Sequence, residues 1–189
     1  MKLSQIFEKN ADGTDKNSGY IEGLALGHVY GESYDRLLAS YTKAPVTLLE
    51  IGVDRGGSLH SWTEFFTGTF YGVDIVDKRL PKYVSDRYKF ILANIHDPEV
   101  LSYFENNNTL FDIIVDDGSH HIYDIVFMVE AFLPRLQKDG IMIIEDIPPA
   151  DPAGWLKLIK QNLPSNRTAE MIDLTAVNGR NDDRLVVIR

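Results

Sequence analysis

The chain has 189 residues, no cysteine and a formal net charge of −9. That length fits one domain of roughly 100–200 residues. Without thiols, disulfides, thiolate metal sites and cysteine nucleophiles are excluded, so any metal must sit on oxygen or imidazole. The 19 lysines and arginines are scattered through an acidic chain, so no nucleic-acid partner is expected.

The first residues, MKLSQIFEKNADGTDK, lack the apolar core of a signal peptide. No later run approaches the roughly 18 apolar residues of a membrane helix, and a cytoplasmic protein without a membrane partner is expected. Residues 1–31 mix glycine, asparagine, aspartate and aromatics without a sustained period, which predicts an irregular arm or lid before a domain spanning 32–189. A short helix is expected over 32–41, and VTLLEIG after Pro45 is a continuous apolar run of the kind buried on both faces of a parallel sheet.

Helices and strands then alternate. Helix is predicted over 58–66, strand over 69–74 and 88–92, helix over 98–105, strand over 111–115, helix over 119–136 and strand over 140–145. A helix over 153–162 and two strands, 169–176 and 184–189, joined as an antiparallel hairpin, complete the chain. The class is α/β with a Rossmann-like doubly wound sheet.

In such sheets ligands bind beyond the carboxyl ends of the strands. After the first long strand the chain reads Glu50-Ile51-Gly52-Val53-Asp54-Arg55-Gly56-Gly57-Ser58, a loop whose glycines let a ligand approach the backbone. A tight turn without a ligand is the plain alternative. The spacing is not Gly-x-Gly-x-x-Gly, and Asp54 would repel a pyrophosphate while tolerating the zwitterionic methionine part of S-adenosylmethionine. Asp74, ending the next strand, suits the ribose hydroxyls of either cofactor.

Two neighbouring strands end in acids, Asp116-Asp117 and Glu145-Asp146. At strand spacings of about 4.8 Å these carboxylates would converge and repel one another unless a cation neutralised them. A hard divalent ion, Mg²⁺ first, fits oxygen ligands of this kind. Side chains alternate along a strand, so Glu145 and Asp146 share an ion only if the strand has ended, which Pro148 and Pro149 favour. By the same alternation Asp117 is expected to face the metal and Asp116 the cofactor or the loop backbone. Capping by Asp117 or Ser119 is the competing explanation, though it accounts for one acid rather than four. His120 is expected in the first turn of the following helix, where the dipole disfavours imidazolium and leaves a neutral base; His121 is its rival. His28, His60 and His96 lack an acidic context in sequence and read as structural or surface residues.

LLEIGVDRGGSL followed by YGVDI resembles the first two motifs of class I methyltransferases. With GTDK, DDGSHH and IIEDI, the stretch from about 12 to 147 resembles the macrocin, mycinamicin and novobiocin-type O-methyltransferases and the related cephalosporin hydroxylase and rhamnosyl O-methyltransferase group. The resemblance implies a seven-stranded sheet of order 3-2-1-4-5-7-6. It implies that Glu50, Gly52, Gly56 and Ser58 surround the methionine portion of S-adenosylmethionine, that Asp74 holds the ribose, and that Asn94 meets the adenine where such enzymes often carry an acid. It places Mg²⁺ on Asp117, Glu145 and Asp146, and the base on His120 rather than His121. The segment with Thr14, Lys16, Tyr20, Tyr30 and Tyr34 is similar to the family's amino-terminal lid, although its aromatics suit a homo-oligomer contact equally; the fuller family members often carry more sequence before it. The implied reaction is methylation of a hydroxyl on a small molecule, such as a sugar or other vicinal diol. A nucleotide-dependent oxidoreductase or hydroxylase, and a non-catalytic cofactor-binding module, are the competing readings.

Overall fold

In the computed structural model, residues 1–17 and 27–189 are described, together with the backbone of 20–21 and 24–25; the lid reading of Tyr20 lies outside the described side chains. The chain opens with α1 (Leu3–Lys9), a short antiparallel pair β1 (Tyr20–Ile21) and β2 (Leu24–Ala25), and α2 (Gly31–Leu37). There follow β3 (Val46–Ile51), α3 (Gly57–Phe65), β4 (Gly68–Asp74), β5 (Lys89–Leu92), α4 (Pro98–Asn106) and β6 (Phe111–Asp116). The remainder is α5 (Ile122–Phe132), β7 (Leu136–Ile144), α6 (Pro152–Gln161), β8 (Ala169–Asp173), α7 (Thr175–Asn178) and β9 (Arg184–Ile188).

The seven-stranded sheet runs β5-β4-β3-β6-β7-β9-β8, which is 3-2-1-4-5-7-6 counted from Val46. The first five are parallel, and β9 inserts antiparallel between β7 and β8. Apart from Thr47 and Glu50 in β3 and Asp112 and Asp116 in β6, these two strands are apolar because both faces are covered. Leu49, Ile51 and Ile114 pack with Phe104, Ile125, Met128 and Phe132 on one side. Val46, Leu48, Ile113 and Val115 pack with Leu3, Phe7, Leu59 and Trp62 on the other.

The amino terminus departs from the irregular arm expected. Leu3, Ile6 and Phe7, at helical spacing, are at most 3% exposed, and Phe7 meets Trp62 and Tyr34 edge-on at centroid distances of 5.1 and 5.7 Å. A seven-residue helix is too short to be stable by itself; this one exists because its apolar face completes the core. The helix predicted from 119 begins three residues later, so His120 precedes it with φ +56°. His120 thus does not occupy the expected first turn of α5. At the other end Pro134 stops α5 early, and β7 starts at Leu136 rather than 140. The strand expected over 169–176 stops at Asp173, where Thr175–Asn178 turns into α7.

The strand ends carrying the site are drawn together at one glycine. Gly52 has φ +80°, and a Cβ there would lie 1.9 Å from the Asp117 carbonyl oxygen. No larger residue lets the β3 loop cross the end of β6 so closely. Gly52→Ala is expected to cost at least about 2 kcal/mol through the backbone clash and the left-handed conformation. Urea unfolding would check this, and an unchanged midpoint would contradict it.

Candidate active site

Pairing aligns Ile51, Asp116 and Ile144 across β3, β6 and β7, so the residues just beyond stand side by side. Alternation then sorts them. Glu50, Asp117 and Glu145 continue the face covered by α1–α3, whereas Asp116 continues the face covered by α4–α6. β7 has ended at Ile144, and Asp146 adopts φ +57°, which frees it from that alternation.

A single ammonium meets the first group. Lys16 Nζ lies 2.5 Å from Asp117 Oδ2, 2.8 Å from Glu145 Oε2 and 3.5 Å from Glu50 Oε1, and its side chain is fully buried. Burial alone would strip its proton, but the charges of Asp117, Glu145 and Glu50 outweigh that and hold it well above the usual lysine range. Glu50 is pushed up to about 7 by burial, against the pull of Lys16. Burial and the neighbouring Asp117 raise Glu145 as well, with Lys16 opposing them. The Tyr34 hydroxyl donates to Glu145 Oε1, its own proton retained by burial and the Glu145 charge.

Asp146 is held from the same amino-terminal segment. Tyr30 donates to Asp146 Oδ1 at 2.6 Å, and His28 Nε2 lies 3.2 Å from Asp146 Oδ2. Burial would raise Asp146, but the bond and charge of His28 and the bond from Tyr30 bring it to about 2. His28 is 1% exposed, stacks on Tyr30 at 4.6 Å and places Nδ1 2.5 Å from Asp183 Oδ1. The reading of His28 as lacking acidic context is thus corrected: its partners Asp146 and Asp183 are distant in sequence and meet only in the fold. Asp117, His120 and Asp146 each offer a ligand atom within 4.8 Å of the others, a spacing that one cation can bridge. His28, Asp182 and Asp183 do likewise, but there Arg180 already sits 2.8 Å from Asp182.

Beside these groups lies a cavity of about 870 Å³. Gly52, Ser58, Asp74, Asn94, Asp116, Asp117, His120 and Asp146, all foreseen as site residues, line it. Glu50, Gly56 and Glu145 do not: Glu50 and Glu145 are buried around Lys16, and Gly56 packs against Arg79 and Tyr83. His121 is exposed and outside the lining, which separates it from His120. Asp74 Oδ2 accepts from the backbone N–H groups of Val53 and Asp54 at 2.8 and 3.0 Å, shaping the glycine loop. Burial pushes Asp116 up to about 6. Asn94 is exposed and accepts from the His96 N–H.

Residues 49–147 match the family model described as a methyltransferase domain, more than half of the chain. The chain belongs to the methyltransferase-domain family. This methyltransferase domain is 33% identical over 153 residues to the 8-demethyl-8-alpha-L-rhamnosyl tetracenomycin-C 2'-O-methyltransferase of Streptomyces olivaceus, covering 72% of the chain and 39% of the relative. It is 35% identical over 129 residues to the mycinamicin VI 2''-O-methyltransferase of Micromonospora griseorubida, covering 64% and 32%. The chain therefore spans about two fifths or less of these relatives. The solved MycE methyltransferase of the mycinamycin pathway, in complex with Mg, SAH and mycinamycin VI, superposes with a TM-score of 0.74 at 25% identity, covering all of this chain and 53% of that one. Among the described residues no helix is long and apolar enough to cross a membrane.

Sequence reasoning identified the acids of the methyltransferase domain but missed what holds them. Lys16, Tyr30 and Tyr34 read as part of a lid, and their bonds to Asp117, Asp146 and Glu145 had no local signal beyond the GTDK motif that contains Lys16 and an i,i+4 tyrosine pair. His28 yields a pH prediction. Burial, which lowers it, is outweighed by Asp146 and Asp15, so its pKa rises from 6.5 to about 9, with Arg180 opposing. A pKa raised on folding gives stability that is present below about 6.5 and lost as pH rises through about 9. Between those values wild type should lose up to about 3 kcal/mol relative to His28→Gln. Urea unfolding at pH 6 and pH 9 checks it, and parallel profiles for the two proteins would refute it.

Proposed function

We propose that this domain is an S-adenosylmethionine-dependent O-methyltransferase, assisted by a divalent ion, acting on a hydroxyl of a small molecule such as a sugar or other vicinal diol. The observation that carries the reading is the pair Asp117 and Glu145 already closed on a cation, the buried Lys16 ammonium, with Asp117 also lining the cavity. A carboxylate set that binds one cation in this way fits a hard ion, and Asp117, Glu145 and Asp146 are the residues to hold Mg²⁺. The Mg and SAH in the MycE complex, and the sugar-directed names of the relatives, support the same assignment.

S-adenosylmethionine would supply the transferable methyl and the ion would acidify a hydroxyl; the remaining work falls to the chain. Asp74, Ser58 and Asn94 all line the cavity, where they would meet the ribose, the methionine portion and the adenine. Gly52, which lines the cavity, would let the cofactor approach the loop backbone. The partly exposed His120 stands 3.7 Å from Asp146, where its ring nitrogen can take the hydroxyl proton as the oxygen attacks the methyl. Asp146, kept ionised by His28 and Tyr30, stabilises the imidazolium that results. The Ala11–Asp15 wall restricts water on the amino-terminal side.

Calorimetry should show S-adenosylhomocysteine binding, with Asp74→Ala weakening it roughly 10- to 100-fold through lost charged hydrogen bonds. Tight binding of NAD(H) with none of S-adenosylhomocysteine would instead favour the oxidoreductase reading. With a rhamnoside acceptor, EDTA should abolish transfer and His120→Ala should lower it roughly 10²- to 10⁴-fold.

A further inference from the structure

Lys16 is more than a lid residue. Its Nζ binds Asp117 and Glu145, two of the three acids assigned above to the divalent ion, and no solvent reaches it. The backbone around it forms one wall of the cofactor cavity, since Ala11–Asp15 line that cavity directly. The same segment is pinned elsewhere by Gly57 N–H donating to the Gly13 carbonyl at 2.8 Å and by Tyr83 Oη donating to Asp12 Oδ1 at 2.6 Å. It also pairs with the strap ahead of α2, through His28 N–H to Asp15 O at 2.7 Å and Tyr30 N–H to Lys16 O at 2.9 Å. His28 and Tyr30 are the two residues that hold Asp146.

We infer that Lys16 is an intramolecular competitor of the divalent ion for Asp117 and Glu145, so that ion binding and the seating of the Ala11–Lys16 cavity wall oppose one another. Two cations on one carboxylate pair repel strongly where water is excluded, so each must weaken the hold of the other. By linkage the effect is reciprocal: whatever loosens Lys16 tightens the ion, and the ion loosens the wall. The device sets ion affinity below what the acids alone would provide and couples it to the entrance side of the cofactor cavity. Lys16 acts through Asp117 and Glu145, as a positioning residue.

The inference rests on the metal-assisted reading above, and its test is read with Mg²⁺ alone. Titration calorimetry should give a Mg²⁺ dissociation constant at least 10-fold lower for Lys16→Met than for wild type, and Mg²⁺ should raise the melting temperature of the variant more than that of wild type. Unchanged or weaker binding in the variant would overturn the inference. Should Lys16→Met fail to fold, hydrogen exchange in wild type decides. Saturating Mg²⁺ should speed amide exchange across residues 11–17 at least several-fold, and unchanged or slower exchange there would overturn it. S-adenosylhomocysteine titrated separately into wild type distinguishes the two failures. Its loss removes the methyl-transfer reading, whereas normal binding with no Mg²⁺ difference removes only the competition.

Discussion

The Lys16 ammonium enclosed by Asp117, Glu145 and Glu50 is the interaction on which the rest of this site depends. Three carboxylates on one face of a buried sheet would repel each other and resist desolvation, and a single side chain from outside the sheet relieves both costs. Because the lysine comes from the amino-terminal segment, neutralising the acids and closing that side of the cavity are one event. The segment is consequently part of the site and not an appendage to it.

The same logic extends outward from Lys16. Tyr34 donates to Glu145, Tyr30 to Asp146, and His28 links Asp146 to Asp183 near the start of β9. Each contact satisfies a buried oxygen that would otherwise be costly to desolvate. The helices that deliver these residues are short, and they persist because Leu3, Phe7, Tyr34 and Trp62 pack as one aromatic and aliphatic cluster against the sheet. Apolar burial thus places the polar network, and the polar network arranges the ionisable groups into an inner set of acids around Lys16 and an outer group, Asp117, His120 and Asp146, facing the cavity. Asp117 belongs to both groups, which makes it the point where charge is shared between the buried centre and the ligand space.

Strand-end position explains why neighbouring acids differ so much. Asp116 and Asp117 point to opposite faces, so burial raises Asp116 without any lysine nearby while Asp117 meets Lys16. Glu145 and Asp146 meet different partners because β7 ends at Ile144: Glu145 takes Lys16 and Tyr34, while Asp146, in a left-handed conformation, meets Tyr30, His28 and His120. Alternation and the end of a strand are enough to give four adjacent acids four environments.

Much of this was legible in the chain itself. The apolar runs of β3, β6 and β7, the glycine loop and the acids at the strand ends announce a doubly wound sheet with a ligand site at its carboxyl edge, because burial on both faces and tight strand-to-helix turns leave local signatures. The motifs 13–16, 48–59, 71–75, 116–121 and 143–147 carry the family resemblance. What the chain could not announce was long-range. Lys16 stands 101 residues from Asp117 and 129 from Glu145, and His28 stands 155 from Asp183. No periodicity connects such pairs. The helix at Leu3–Lys9 and the late start of α5 were misread for a related reason, since short elements take their conformation from what they pack against. Sequence determined the sheet, its ligand edge and the acids placed there; only the tertiary structure decided which cation meets which acid, because charge pairing in a buried centre depends on where distant segments dock.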